Sequence, residues 1–466
     1  MRSFRSSTVA LILISFAGLA VAQEKKVDAA QASQPVTPPP AFAFGGDVRL
    51  RYEAYDGVHT LNCEAPYHDR DYFRLRTRAW ASYNIVSGLS VYGRLAAEPR
   101  YWFNNSTTAG EGKELKYAIV DNIYAKWNTT LSGKMPLTIV AGRQDIQLGD
   151  LWLVSDGTPG DGSWTNYFDG LRATLDAASI KTKFDVISFK QQANPKDHLP
   201  ILGRQGTCTV MEQDELGAIL YATNKTVKNL QIEGYAIYKE DHRVTGAGNN
   251  GAVYTLGARV AGTPSPKWQY SVEAARQWGR RDLQVRYPAV IARKRDIEAY
   301  GANAKLTYSF KDKLNNQVTL LSEYLSGDDP DTADEDEMFD VLWGRYPRIG
   351  ETWAAAYSLE SGGRSSQFQN LLKLGTLWAI SPTKSTSVTT MYCALFAPEE
   401  VPTRSTNNAR FSRSGNFRGH QVQVIAKRKI TKELSALLFA EAAFLGDYYT
   451  QRDMITFVRA EVLFTF

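Results

Sequence analysis

Cysteine is almost missing from this chain. The three present, Cys63, Cys208 and Cys393, are odd in number and have no metal-ligand spacing. That excludes a disulfide framework and a cysteine-held metal; a bridge between the loop residues Cys63 and Cys208 stays open. Histidine is scarce too: His59, His68, His198, His242 and His420. No pair of them has metal spacing and no serine sits in a nucleophile elbow, so neither catalysis nor a cofactor is expected. Past the first two dozen residues there is no run of about 20 apolar residues, which rules out membrane-spanning helices. Interior linkers and a second composition are likewise absent, so one domain is expected. Net charge is small. Beyond Ala22 the chain has 52 Lys and Arg against 49 Asp and Glu, too even to call for nucleic acid.

What is present begins with Arg2, Arg5, an apolar run from Val9 to Val21 and the sequence Ala20-Val21-Ala22. These are the marks of a cleaved secretory signal over residues 1–22. Residues 23–41, rich in Ala, Gln and Pro, read as a disordered periplasmic leader. From 42 to 466 the chain is a succession of about 18 strand-like segments with no long helical period. In Asp71–Tyr83, for example, Phe73, Leu75, Thr77, Ala79, Ala81 and Tyr83 share one face. Arg74, Arg76, Arg78, Trp80 and Ser82 share the other.

The connections separate these segments from those of a soluble sandwich. Every second one is short, such as 85–88, 176–179 and 381–386. The alternate ones are long and polar: 55–70, 101–116, 148–166, 191–214, 240–252, 278–296, 327–370 and 397–418, with a shorter 445–454. Short periplasmic turns and long extracellular loops are the asymmetry of a barrel in the cell outer membrane. The 24 Tyr and 10 Trp suit aromatic girdles at its two interfaces. The fold expected is therefore all-β: a transmembrane antiparallel barrel of about 18 strands, bounded by lipid. The amphipathic last strand ends at Phe466, which reads as an assembly signal.

A charge facing lipid costs roughly 2–4 kcal/mol at the midplane, so the polar face of each strand should line the lumen. This predicts Arg49, Arg51, Arg74, Arg76, Arg78, Arg94, Lys126, Arg172, Lys183, Arg259, Lys305 and Arg459 on the solute path. Inward acids include Glu233, Glu273, Glu323, Glu441 and Glu461. Bases outnumber acids, and a low-dielectric wall with one sign in excess gathers the other. Bracing of the wall by paired charges is the competing expectation. Arg143 is placed on the solute path with them although it breaks the pattern, since alternation puts it with Leu137, Ile139 and Ala141; a bulge near Gly142 or a site above the lipid would resolve it. Asp328, Asp329 and Asp331, in an acidic run to Glu337, are a weak Ca²⁺ candidate against a simply solvated loop, or one that gates the mouth.

The chain resembles the alginate export family of outer-membrane porins. The resemblance lies in the early Arg-rich strands, Ala141-Gly-Arg-Gln144 before a Trp-bearing loop, and Asn166-Tyr-Phe-Asp-Gly-Leu-Arg172. Leu342-Trp-Gly-Arg345 and the C-terminal strand add to it, over about residues 42–466. It implies an 18-stranded monomeric barrel whose arginine-rich conduit passes an acidic polysaccharide, with a periplasmic secretion scaffold as partner. Arg143 and Arg172 match the family's arginines by position, Arg74, Arg76 and Arg78 less closely. The loops depart from the family's best-known members, which leaves the solute open: a uronate polysaccharide or its oligomers, or small anions through a general porin. A loop-based adhesin and an outer-membrane enzyme are the remaining alternatives.

Overall fold

A computed structural model describes residues 41–104, 112–114, 118–155, 168–194, 202, 211–246, 248–286, 290–332, 334–344, 350–361, 368–401 and 409–466. The expected signal peptide and nearly all of the leader lie outside these residues, as do Cys208 and His198. Eighteen strands form the wall. They are β1 (Phe42–Asp56), β2 (Asp69–Val86), β3 (Leu89–Ala97), β4 (Ala118–Leu131), β5 (Met135–Gln144) and β6 (Phe168–Ala177). Next come β7 (Thr182–Gln191), β8 (Gln213–Asn224), β9 (Leu230–Arg243), β10 (Asn250–Ser265), β11 (Trp268–Arg286) and β12 (Val290–Ser309). The last six are β13 (Gln317–Leu325), β14 (Leu371–Thr383), β15 (Thr386–Phe396), β16 (Phe417–Lys429), β17 (Leu434–Leu445) and β18 (Met454–Thr465).

Each strand pairs antiparallel with its chain neighbours, and β1 closes on β18 from Asp47↔Thr465 to Asp56↔Thr456. Closure leaves no edge, so every strand's backbone groups have a partner where water is absent. The period-two pattern does the rest. Leu50, Val186, Leu220, Leu256, Val272, Leu320 and Leu438 stand exposed on the outside, while their alternates face in. Exposed Tyr254, Trp278, Tyr300 and Tyr324 ring one end of this apolar band; Tyr83, Trp127, Trp268 and Trp378 ring the other.

Eight short turns lie on the side of the two strand-forming termini: 87–88, 132–134, 178–181, 225–229, 266–267, 310–316, 384–385 and 430–433. On the other side the expected loop 278–296 is mostly strand. β11 and β12 run on as a ribbon, with Arg276 paired to Glu298 and Arg280 to Asp296 across its exposed face. Cross-strand ion pairs let the ladder continue beyond the lipid. The longest loop also holds an unexpected element, α1 (Glu351–Glu360).

The seam is made at the last residue. The Phe466 amide donates to the Gly46 carbonyl at 3.1 Å, and the Gly46 amide donates back at 3.0 Å. A Cβ on Gly46 would stand 2.7 Å from the Phe466 ring and 2.4 Å from the Arg78 carbonyl oxygen, so only glycine fits there. Deleting Phe466 removes both bonds and the ring. The expected outcome is impaired assembly, read as loss of the folded, heat-modifiable band in outer membranes; normal insertion would contradict it.

Candidate functional site

The arginine face of β2 lies against β1 with like charges directly opposite: Arg49↔Arg76 and Arg51↔Arg74. Such pairs repel unless carboxylates stand between them. They do. Glu98 lies 3.5 Å from Arg49 and 2.7 Å from Arg74; Glu53 lies 3.4 Å from Arg74. Arg51 pairs with Glu461, Arg76 and Arg78 share Asp47 at 3.0 and 2.6 Å, and Arg459 bonds Glu53 at 2.6 Å and Glu351 at 2.7 Å. Arg100 adds a contact to Glu98 at 3.4 Å. Seven arginines and five carboxylates (Asp47, Glu53, Glu98, Glu461 and Glu351) are thus joined in one network among the described residues.

The other sequence-predicted cations are placed as follows. Arg94 bridges Asp121 at 2.9 Å and Asp145 at 3.0 Å; Arg172 bonds Asp185 at 2.8 Å, and Arg259 bonds Glu233 at 2.8 Å. Lys183 lies 3.4 Å from Asp176, and Lys305 pairs with Asp150. With Arg143, which bonds Asp169, twelve of the thirteen sit beside a carboxylate. Lys126 has none among the described residues and lines a cavity of about 310 Å³ with Arg94, Arg172 and Asp145. Arg143 is 2 % exposed, held by both Asp169 oxygens at 2.6 and 2.7 Å and donating to the Val120 carbonyl at 2.9 Å. The ladder shows no register shift at Gly142, although its φ is +126°.

Opposite this charged wall, loop segments pack on the inner face. Asp150 reaches Lys305, only four residues from the turn end of β12, so the 148–155 segment dips deep into the lumen. Trp152 stacks on Phe339 at 5.3 Å and donates its indole N–H to Glu323 at 3.0 Å. Trp343 packs on Phe189 and donates to Glu215 at 2.8 Å. Arg281 holds Asp336 and Asp340 at 3.2 and 2.8 Å. The buried wall acids thus serve as anchors for the loops, a role the sequence reading did not assign them.

Glu441 shows this most fully. Helix α1 has no side-chain cap of its own and begins after Gly350, whose φ is +100°. A wall carboxylate fills the gap: Glu441 accepts the Glu351 and Thr352 amides, each at 3.0 Å, and the Thr352 hydroxyl. Gln421 and Gln423 donate to the same group at 2.9 Å. The negative charge also matches the positive end of the helix dipole. A Cβ on Gly350 would meet the Glu441 Oε2 at 2.4 Å. At the other end Arg418 grips Glu360 with two bonds of 2.8 and 3.0 Å, between the rings of Tyr357 and Tyr448. The missed signal was Trp353, Ala356, Tyr357 and Glu360, buried at helical spacing.

The remaining candidates are spent locally. Burial, with Arg70 beside it, pushes the His59 imidazole down to about 4. Asp328 pairs with Arg295 at 2.8 Å, Asp329 accepts the Asp331 amide at 2.9 Å, and among the described residues no cluster of acids, His or Cys is arranged to hold a metal. The Cys63 thiol donates to the Met454 carbonyl at 3.4 Å.

A closed wall, a lipid-facing band and a charged lumen narrowed by inward loops define an outer-membrane barrel of the porin kind. The profile of the alginate export family matches residues 41–462, and the chain belongs to that family. Among solved structures it is similar to OccK7 (OpdD) of Pseudomonas aeruginosa, with a TM-score of 0.54 and 9% identity over 92% of this chain and 99% of that one. OpdQ of Pseudomonas aeruginosa gives 0.53 and 12%, covering 91% and 97%. OccAB2 of Acinetobacter baumannii gives 0.53 and 9%, covering 91% and 98%. At such identities the likeness concerns the fold. Comparison with curated proteins returns no match. Family and fold are channel-like and point to the outer membrane.

Two outcomes follow from the anchors. Glu441→Ala removes five hydrogen bonds and the helix cap, worth about 0.5–2 kcal/mol for the cap alone; single-channel conductance should rise or grow noisy as α1 leaves the wall. Unchanged current would mean the helix is held from elsewhere. Burial and the Asp336 charge outweigh Arg295 and push the Asp328 carboxyl up to about 7 from 3.8. Its folded value lies above its unfolded one, so its contribution is full below about 4 and is lost as pH rises towards 7. Raising pH from 5 to 8 should speed hydrogen exchange in 326–344 beyond base catalysis, and Asp328→Asn should flatten that extra dependence.

Proposed function

We propose that this barrel passes an anionic solute through the outer membrane, with an acidic uronate polysaccharide or its oligomers favoured by its family. The carrying observation is the network of arginines on the β1–β3 and β18 wall, held in place by carboxylates that they share. The 148–155 segment, folded against the opposite wall, supports the reading by narrowing the lumen. No bond needs to be made or broken. A carboxylate on the solute competes with Asp47, Glu53 or Glu98 for an arginine already oriented by its neighbours. Exchange among shared partners keeps each contact modest, so the polymer advances rather than sticks. Lys126, Arg94 and Arg172 continue the cationic lining on the adjoining strands.

Replacing Arg74, Arg76 and Arg78 by Ala leaves Asp47 without its two arginines and removes one partner each from Glu53 and Glu98. In planar bilayers the reversal potential should shift from anion- towards cation-selective, and the on-rate of block by oligouronates should fall on the order of tenfold. The barrel should stay heat-modifiable. Anion-selective current in the parent protein without oligouronate block would favour a general small-anion porin. Unchanged selectivity in the variant would confine these arginines to bracing.

A further inference from the structure

We propose that the short-turn face is a lysine collar that captures a soluble, flexible polyanion on the periplasmic side, before it enters the lumen. This rests on the reading of the barrel as an anion conduit and adds where, and from which side, first contact is made. Seven of the eight short turns carry lysine, nine in all, against two acids, Asp312 and Glu433; none carries arginine. All nine are exposed. A chain with charge so nearly balanced overall has therefore sorted it sharply at this one rim.

The collar continues inward. Lys225 and Lys228 line a cavity of about 540 Å³ together with Arg259 and Lys305, and no carboxylate is among its lining residues. Turn lysines and lumen cations thus face one space. Successive turns are two strand spacings apart, roughly 10 Å, close to the screening length of about 8 Å at physiological salt. Their fields overlap at the edges and form a ring rather than isolated points. A small anion meets one lysine at a time, whereas a polymer with a carboxylate on each unit spans several and gains from effective concentration. Lysine suits this task. Its ammonium is a hydrated, rotatable point charge that asks for no fixed geometry, unlike the forked guanidinium of the wall.

The test uses the full barrel and a variant with Lys225→Gln, Lys228→Gln, Lys267→Gln, Lys311→Gln and Lys313→Gln, checked for heat-modifiability. The probe is a galacturonate oligomer of about ten units, with the monomer as control. Binding to nanodisc-held protein is measured at low and high salt, and block is measured from each side of an oriented bilayer. The oligomer should bind the parent in a salt-sensitive way, and the variant about tenfold more weakly. The block on-rate from the short-turn side should fall by a similar factor, with the rate from the loop side unchanged. Equal rates from the short-turn side in both proteins overturn the collar and leave the conduit standing. Lysine-dependent binding without block in the parent sustains the collar and overturns the conduit. Absence of binding to the parent at low salt overturns the collar. So does a variant that binds the oligomer normally but retains less phosphatidylglycerol in native mass spectrometry, which assigns the lysines to lipid headgroups.

Discussion

A backbone amide in hydrocarbon has no partner except another strand, and this one constraint shapes the whole molecule. It forces β1 to find β18 across the chain's full length, and it places the joint at Gly46 and Phe466, where two backbone bonds close the ring. Once the wall is closed, side-chain alternation has only two outlets, lipid and lumen. Leu220, Leu256 and Leu320 take the first; within the lipid band, charged residues such as Arg49, Glu53 and Arg76 take the second. Lumen chemistry is thus a by-product of satisfying the backbone.

Charges gathered on one inner face must then be reconciled with each other. Arg49 opposite Arg76 and Arg51 opposite Arg74 is a pairing that registers like against like. Its stability comes from Glu53, Glu98 and Glu461 set between them, each meeting more than one arginine. Sharing has a functional consequence. In the conduit we propose, an arginine shared between carboxylates is oriented by several partners at once and exchanges one of them for a carboxylate of the solute. Bracing and solute contact are therefore compatible uses of the same residues. On the far wall the acids Glu215 and Glu323 are instead committed to loop N–H donors, with apolar packing around Trp152 and Trp343, while Glu441, on the strand next to β18, holds the amides that open α1.

The barrel was legible in the chain because its signals are periodic and repeated: alternation within strands, and short and long connections between them. Even the inward placement of Arg74, Arg76 and Arg78 followed from one segment. What resisted reading was whatever depends on partners far apart in sequence. Glu441 caps a helix 90 residues before it, and Asp150 meets Lys305 across 155 positions; no spacing rule connects them. Helix α1 was present in the sequence as Trp353, Ala356, Tyr357 and Glu360, yet its ten residues were overshadowed by a 44-residue loop of polar character. Arg143 was flagged as an exception from alternation alone. Its resolution, a two-pronged bond to Asp169 and a third to the Val120 carbonyl, depends on partners 26 and 23 positions away on neighbouring strands.

The division between arginine and lysine is the last consequence of these constraints. In the wall, where water is scarce and carboxylates are shared, a planar fork that satisfies several acceptors at once is the stable choice. On the turns water solvates every charge, and the side chain that keeps its hydration and swings freely attracts without committing. Nine turn lysines and an arginine-braced lumen therefore describe a gradient in grip from rim to wall. In the conduit we propose, a polyanion drawn along it exchanges loose, many-handed contacts for fewer, oriented ones. Contacts of graded and individually modest strength are what passage requires, since one tight site anywhere along the path would hold the polymer instead of moving it.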